Sequence, residues 1–218
     1  MRRFILFSIC LALTAVPTAA ASSAIPLTKA SALNAIGISE ADATVTQSVW
    51  NGQPTVFIEY VVDKSKVTNT DPVEWDEPPS QHVDAWTGAR DKELRRLVAV
   101  QRGADGQLRS TIVTDIQSDA LFAGVAAIGF ANADRDREKE LIVIAEWENS
   151  GGVGGGQDYQ VRIFKQPDSS KSNVTALKDI SDHFGTGFEG RTFDTGEPVH
   201  ARFKTIRAIK RELRRLGY

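Results

Sequence analysis

Between residues 44 and 164 the chain is a series of strand patterns joined by turn signals, with no helical pattern between them. The first pattern, residues 44–50, alternates along the chain and ends at Asn51-Gly52, a dipeptide that favours a tight β-hairpin turn. The next, residues 55–62, is rich in β-branched and aromatic side chains. Antiparallel strands can follow one another through short turns, whereas parallel strands need long crossovers. This order therefore predicts antiparallel sheet.

Further strand patterns cover residues 97–101, 109–114, 125–130, 140–147 and 158–164. Beyond them, apolar residues recur at spacings of three and four: Phe203, Ile206, Ile209, Leu213 and Leu216. That spacing places them on one face of a helix, so we predict an amphipathic helix over about residues 203–216 that lies against the sheet. The predicted fold is mainly β (α+β), with a single antiparallel β-hairpin sheet domain and a C-terminal amphipathic helix over residues 43–218.

The first 21 residues have the composition of an export signal. A pair of arginines precedes an apolar run over residues 4–16, and small residues follow as far as Ala21. This order is typical of a signal peptide, so we expect cleavage near Ala21 and a periplasmic or secreted protein. The apolar run is shorter than the ~20 residues that a membrane-spanning helix needs. Residues 22–42 are predicted to form an N-terminal tether with a short helix over residues 29–35.

Charge and cysteine content exclude several classes of protein. The formal net charge is −2, which gives the chain as a whole no basis for binding nucleic acid. The one cysteine, Cys10, lies in the N-terminal apolar run, so the rest of the chain has no thiol for a disulfide, a nucleophile or a zinc site. No later segment is long and apolar enough to predict a transmembrane helix.

A cluster of oxygen-bearing side chains follows the strand pattern at residues 125–130. Four residues provide side-chain oxygens at offsets 1, 3, 5 and 9 of a loop: Asn132, Asp134, Asp136 and Glu140. Glu138, at offset 7, can provide its backbone carbonyl. Calcium takes six to eight oxygens at about 2.3–2.6 Å, and alternate residues of a tight loop can converge on one ion. We therefore predict a calcium site with these ligands.

The loop resembles the calcium-binding hairpin loops of FG-GAP and VCBS-type repeats, which are integrin-propeller-like, over residues 129–142. Asn132 stands where those loops carry aspartate. Arg137 stands where they carry a glycine with positive φ, a conformation that is strained for arginine. The motif occurs once, and the absence of repeats excludes a propeller. The order of acidic loop, apolar strand, glycine-rich loop and Tyr159-containing strand is also similar to type-I periplasmic lysozyme inhibitor-like proteins. That resemblance implies a binding module.

The acidic loop has an alternative interpretation, and the neighbouring glycine-rich segment resembles a phosphate-binding loop only in composition. The acidic loop can be a solvent-exposed hairpin whose carboxylates are neutralised by the interleaved Arg135, Arg137 and Lys139. The glycine-rich residues 151–156 lack the lysine and the following helix of a phosphate-binding loop, so we expect a flexible hairpin connection there.

Residues 64–91 form a long segment without periodicity that contains Trp75 and Trp86. Because tryptophan is enriched at binding hot spots, we predict that these two residues and Tyr159 contact a partner. The alternative is that both indoles fold onto the edge of the domain. Residues 202–218 carry seven basic residues and one acidic residue, which is typical either of a solvent-exposed helix face or of a contact with an anionic surface.

These features predict an exported binding or interaction protein of the cell envelope, with one calcium-stabilised hairpin loop and a protein or envelope ligand; an inhibitor-like module fits this description. The alternative is an enzyme that degrades or modifies envelope polymers with surface carboxylates. Such an enzyme should show a cleft with two carboxylates ~5–10 Å apart, whereas a binding protein should show a protruding loop with exposed aromatic residues. The sequence singles out no catalytic residue.

Overall fold

Ten strands, three α-helices and one 3-10 helix make up the residues that the computed structural model describes, which are 26–62, 75, 94–117, 122–149, 154–167, 174–192 and 194–218. The predicted signal peptide, Trp86 and the rest of residues 64–91 except Trp75 lie outside these ranges. The helices are α1 (Lys29–Ile36), the 3-10 helix (Glu40–Asp42), α2 (Lys178–Phe184) and α3 (Ile206–Arg215). The strands are β1 (Ala43–Trp50), β2 (Gln53–Val62), β3 (Leu94–Arg102), β4 (Leu108–Gln117), β5 (Ala123–Ala131), β6 (Glu140–Asn149), β7 (Gly154–Lys165), β8 (Thr175–Ala176), β9 (Thr186–Thr192) and β10 (Pro198–Val199).

The first sheet is an antiparallel meander in the order β1-β2-β3-β4. The predicted Asn51-Gly52 hairpin joins its first two strands, and both turn residues have positive φ, 47° and 81°. Asparagine and glycine tolerate that conformation better than other residues, which is why this dipeptide closes the turn. The hairpin prediction is confirmed.

The second sheet has the order β10-β9-β7-β6-β5, and β8 pairs with the far end of β7. All its pairings are antiparallel. The hairpin connection predicted over residues 151–156 ends earlier than expected. Gly154–Gly156 already belong to β7 and pair with β9. Gly156 lies opposite Gly190, and a Cβ on either residue would collide with the backbone of the other strand. Glycine at both positions therefore permits the pairing.

The two sheets pack face to face. Trp50, Phe57 and Leu97 of the first sheet share one buried cluster with Leu141 and Phe164 of the second. The ring centroids of Trp50 and Phe57 lie 6.1 Å apart, and Phe130 of the second sheet lies within 6.3 Å of both. Such tilted aromatic contacts add to the hydrophobic stabilisation of the core between the sheets.

Helices cover the outer faces of both sheets, which gives four layers. The predicted tether contains α1, whose Ala32 and Leu33 are buried against Val56, Ile58 and other residues of the first sheet. On the other side, a second buried cluster joins helices α2 and α3 to strands β6 and β7; it includes Ile142, Ile144, Val161, Ile163, Phe184, Ile209 and Leu213. The mainly β fold with a C-terminal helix is thus confirmed.

The C-terminal helix is shorter than predicted. It begins at Ile206 rather than near residue 203, because the side chain of Thr205 accepts a hydrogen bond from Ala208 N over 3.2 Å and caps the helix. Phe203 precedes the cap but still packs against the buried cluster. Within the described residues, no helix combines the length and the apolar character needed to cross a membrane.

Candidate functional site

The acidic loop connects β5 to β6 at one end of the second sheet. Ala131 and Glu140 are paired residues of the two strands, so residues 132–139 form the hairpin loop between them. Carboxylate oxygens of Asp134, Asp136 and Glu140 all lie within 4.8 Å of one another. These three side chains could therefore hold one metal ion between them.

Side-chain hydrogen bonds to the backbone shape the loop. Asn132 Oδ1 accepts from Arg135 N over 2.8 Å, Asp134 Oδ1 accepts from Asp136 N over 3.2 Å, and Asp136 Oδ1 accepts from Glu138 N over 2.7 Å. The residue with positive φ is Arg135, at 69°, and not Arg137 as the family pattern implied. The Asn132 side chain also donates to the carbonyl of Asp136, and this hydrogen bond closes the turn around Arg135.

Lys165, at the end of β7, places its ammonium group against the loop. Lys165 Nζ contacts Asp134 Oδ2 and lies 2.9 Å from Asp136 Oδ2. The two carboxylates raise the pKa of Lys165, and the hydrogen bond from Lys165 lowers the pKa of Asp136. Within the described part of the chain, these ion pairs involve Lys165 rather than Arg135, Arg137 or Lys139. The alternative interpretation of a neutralised loop named those three residues, whereas the structure places Lys165 against Asp134 and Asp136.

Glu140 is the buried member of the three, with 1% of its surface exposed. Its Oε2 accepts a hydrogen bond from Ala133 N over 2.5 Å. Burial raises the pKa of Glu140, and the neighbouring charges of Asp134 and Asp136 act in the same direction. Because a buried carboxylate is costly to ionise without a nearby positive charge, a cation at this position would stabilise its charged form.

The other two predicted ligands lie in the same loop but outside the carboxylate group. Asn132 Oδ1 is already engaged by Arg135 N, and the Glu138 side chain is exposed. The role predicted for Glu138 uses its carbonyl rather than its side chain. Sequence reasoning missed two residues of the site. Lys165 is far from the loop in sequence. Ala133, whose backbone N–H donates to Glu140, has no polar side chain that would have drawn attention to it.

The first sheet and the C-terminus both contact the loop. Trp50 Nε1 donates to the carbonyl of Lys139 over 2.7 Å, from the hairpin that joins β1 to β2. The Arg135 guanidinium lies 5.0 Å from the centre of the Tyr218 ring. These contacts hold the loop in place from two sides, so its carboxylates are arranged before any ion binds.

Of the three predicted partner-binding residues, the structure describes Trp75 and Tyr159. Trp75 is 8% exposed, with its ring 5.6 Å from that of Phe164 and 5.1 Å from the Arg162 guanidinium. It belongs to the core, as the alternative interpretation of folded indoles expected, and its burial does not fit an exposed contact. Trp86 lies outside the described residues. Tyr159 is half-buried, and it lines a pocket.

That pocket lies on the outer face of the second sheet and has a volume of about 240 Å³. Its wall includes Tyr159, Val161, Phe184, Gly187, Arg202 and Phe203. These residues come from β7, α2, β9 and the segment before α3. No carboxylate belongs to its lining. No sequence pattern predicted the pocket, because its lining residues come together only through the fold.

Two carboxylates near α3 are surrounded by cations. Glu212, on the helix, lies 2.6 Å from Arg215, and its carboxylate also contacts His183 and Arg202, each at 3.3 Å. The hydrogen bond from Arg215 and the contact with His183 hold its pKa at about 2. Glu189 has a similar environment: a hydrogen bond from Lys204 at 2.8 Å, together with His200, lowers its pKa to about 2.

Comparison of the chain with protein-family models, with curated proteins and with solved structures finds no significant match. The resemblance of the loop to FG-GAP and VCBS-type repeats therefore stays a prediction. Since a fold alone does not determine function, the inference must come from the acidic loop and the pocket.

Proposed function

We propose that the protein is an exported binding protein of the cell envelope whose acidic loop takes up one calcium ion. The observation that carries this proposal is the convergence of the Asp134, Asp136 and Glu140 oxygens within 4.8 Å. Three carboxylates on a loop that is held from two sides offer a hard, negatively charged set of oxygens, which suits calcium. Binding of the ion would neutralise carboxylates of this loop and so change the surface that it offers to a partner.

The charges in the loop favour a divalent cation. Asp134, Asp136 and Glu140 bring three potential negative charges, and Lys165 compensates one of them. Calcium would replace the ammonium between Asp134 and Asp136 and would also bind Glu140, whose pKa is raised by burial. Asn132 Oδ1 and the carbonyl of Glu138 are the further oxygens that we expect to complete the set. Lys165 thus competes with the ion for the carboxylates of Asp134 and Asp136.

Binding fits the described geometry better than hydrolysis of a polymer. The lining of the pocket contains apolar and aromatic residues and Arg202, but no pair of carboxylates. The three carboxylates of the loop instead converge on one point within 4.8 Å, which is the arrangement of ligands around an ion. Two carboxylates that act as acid and base stand on either side of a substrate, ~5–10 Å apart.

Export rests on the N-terminal sequence. The paired arginines, the apolar run over residues 4–16 and the small residues up to Ala21 support a cleaved signal peptide. Mass spectrometry of the protein recovered from the envelope fraction of expressing bacteria tests this part. We expect a chain that begins near Ser22, and a protein that retains Met1 and stays in the cytoplasmic fraction would contradict export.

The binding function is tested by retention of envelope components on the immobilised protein, with calcium or with a chelator. We expect a component that is retained only with calcium and that is lost in the double variant Asp134→Ala, Asp136→Ala. The matched control is Asp105→Ala, which removes an exposed carboxylate from a different hairpin. Equal retention by the double variant and the parent protein would contradict a role for the loop in binding.

A further inference from the structure

The pocket on the outer face of the second sheet has the features of a ligand site. Its volume of about 240 Å³ lies just below the ~300–1,000 Å³ of sites for drug-sized ligands, so it suits a smaller ligand of one or two rings. It lies between β7, β9, α2 and the segment that precedes α3. All of its lining residues lie between Tyr159 and Phe203, so the C-terminal part of the chain forms the cavity.

Aromatic and aliphatic side chains form most of the wall. The rings of Phe184 and Phe203 meet edge to face with their centroids 5.0 Å apart, and Val161 and Tyr159 come from the neighbouring strand β7. Phe184 is buried, and Phe203 is partly buried against the same cluster. Apolar and aromatic walls of this kind favour an apolar ligand, and an aromatic ligand can pack against either ring.

One positive charge stands at the mouth. Arg202 lines the pocket, and its side chain is 70% exposed, with the guanidinium 4.8 Å from the centre of the Phe203 ring. It lies 3.3 Å from Glu212, but that carboxylate is also shared with Arg215 at 2.6 Å. Two guanidinium groups thus share one carboxylate. Glu189, which accepts from Ala201 N over 2.9 Å, is itself paired with Lys204 at 2.8 Å. No carboxylate in the lining opposes Arg202.

The pocket is separate from the acidic loop. Val161, the lining residue of β7 nearest to the loop, is four residues from Lys165, which corresponds to about 13 Å along a strand. Arg202 is paired with neither Asp134 nor Asp136, which contact Lys165. A ligand in the pocket and an ion in the loop therefore need not exclude each other.

We propose that this pocket binds a small organic anion with a flat apolar ring system, in which an aromatic carboxylate or sulfonate places its rings against Phe184 and Phe203 and its acid group at Arg202. The rings are removed from water, and the acid group forms a charge-assisted hydrogen bond with the guanidinium. The inference goes beyond the proposed calcium loop, and it is tested with chelator present so that the two proposals can fail independently.

The test is a titration of the protein with naphthalene-2-sulfonate, followed by ligand-observed NMR and calorimetry. Its neutral counterpart, 2-naphthylmethanol, has the same rings without the charge. Arg202→Gln removes the cation at the mouth, and Arg207→Gln is the matched control, since it removes an exposed arginine of α3 outside the pocket lining. Both variants change the net charge equally, and both replace exposed side chains, so we expect both to fold.

We expect saturable binding of the sulfonate, weakened about tenfold by Arg202→Gln and changed by less than about twofold by Arg207→Gln, as is typical for loss of one charge-assisted contact. The neutral alcohol should bind the parent protein about tenfold more weakly and should not distinguish the two variants. Absence of saturable binding at millimolar sulfonate would overturn the proposal. Equal losses in the two variants, or equal affinity for alcohol and sulfonate, would overturn it as well.

Discussion

The side chain of Asn51 forms hydrogen bonds with both backbone groups of Lys139. Lys139 N donates to Asn51 Oδ1 over 2.8 Å, and Asn51 Nδ2 donates to the Lys139 carbonyl over 3.2 Å. Asn51 occupies the tight turn of the first sheet, and Lys139 is the last residue of the acidic loop of the second. One amide thus joins the two sheets at the candidate ion site.

The first prediction concerns this clamp. Asn51→Gly keeps a residue that accepts the φ of 47° but removes both side-chain hydrogen bonds. The Lys139 N–H then loses its protein partner, while the Lys139 carbonyl keeps the hydrogen bond from Trp50 Nε1. We therefore expect the free energy of unfolding to fall by ~1–3 kcal/mol. Asn51→Asp keeps the acceptor and loses the donor, so its free energy of unfolding should lie between those of the parent protein and Asn51→Gly. Urea unfolding measures all three, and a glycine variant as stable as the parent protein would contradict the clamp.

The second prediction concerns the packing of α3. Ile209 is fully buried between the helix and the second sheet, whereas Arg211 is exposed on the same helix. Ile209→Ala should lower the free energy of unfolding by ~2–5 kcal/mol, because it removes buried surface and leaves a cavity. Arg211→Ala should change it by less than ~1 kcal/mol. Denaturant unfolding of the two variants decides the matter, and a neutral Ile209→Ala would show that the helix does not rely on the sheet.

The third prediction concerns acid stability. Arg215 and His183 hold the pKa of Glu212 at about 2, below its ordinary value of 4.5. A carboxylate with a lowered pKa in the folded state stabilises the protein above pH 4.5, and this contribution is lost as the pH falls towards 2. Glu212→Gln should therefore be less stable than the parent protein at pH 6, with the difference shrinking towards pH 2.

The measurement is the urea midpoint as a function of pH. Glu197→Gln, which replaces an exposed carboxylate, is the control and should follow the parent protein throughout. If the difference between Glu212→Gln and the parent protein stays constant from pH 6 to pH 2, the ion pairs around Glu212 do not contribute to acid stability.

The fourth prediction concerns the competition at the acidic loop. The Lys165 ammonium contacts both Asp134 and Asp136, where the proposed ion would bind. Lys165→Gln removes this charge, so calcium should bind several-fold more tightly, even though the variant without calcium should be less stable than the parent protein. Calorimetric titration measures the affinity. Weaker calcium binding by Lys165→Gln would mean that Lys165 supports the site rather than competing for it.

The parts of the fold that could be predicted are those with a local signal. Strand β2 carries a run of β-branched and aromatic residues, the Asn51-Gly52 dipeptide marks its hairpin, and α3 has a regular apolar stripe. Strand β9, residues 186–192, has no such signal, since glycine and charged residues interrupt it. It pairs with β7 because Gly190 and Gly156 permit close approach of the two backbones. The sequence of neither strand alone predicts that these two glycines lie opposite each other.

The same distinction holds at the candidate site. The spacing of Asp134, Asp136 and Glu140 predicted their convergence, because alternate residues of a short hairpin loop lie close together. Sequence proximity pointed to Arg135 and its neighbours as the compensating charges, but register places Lys165 there, since Phe164 lies opposite Leu141 at the base of the loop. A charge supplied by a different strand is visible only once the pairing is known.

The most direct test of calcium binding by the acidic loop is the melting temperature of the protein as a function of free calcium. An ion that binds only the folded state stabilises it by RT ln(1 + [Ca²⁺]/Kd), so we expect the melting temperature to rise steadily once calcium exceeds its Kd and to return with chelator. The double variant Asp134→Ala, Asp136→Ala should show no rise, and magnesium should produce a smaller one. A melting temperature that is indifferent to calcium and chelator would contradict the account, leaving a loop that is neutralised by Lys165 alone.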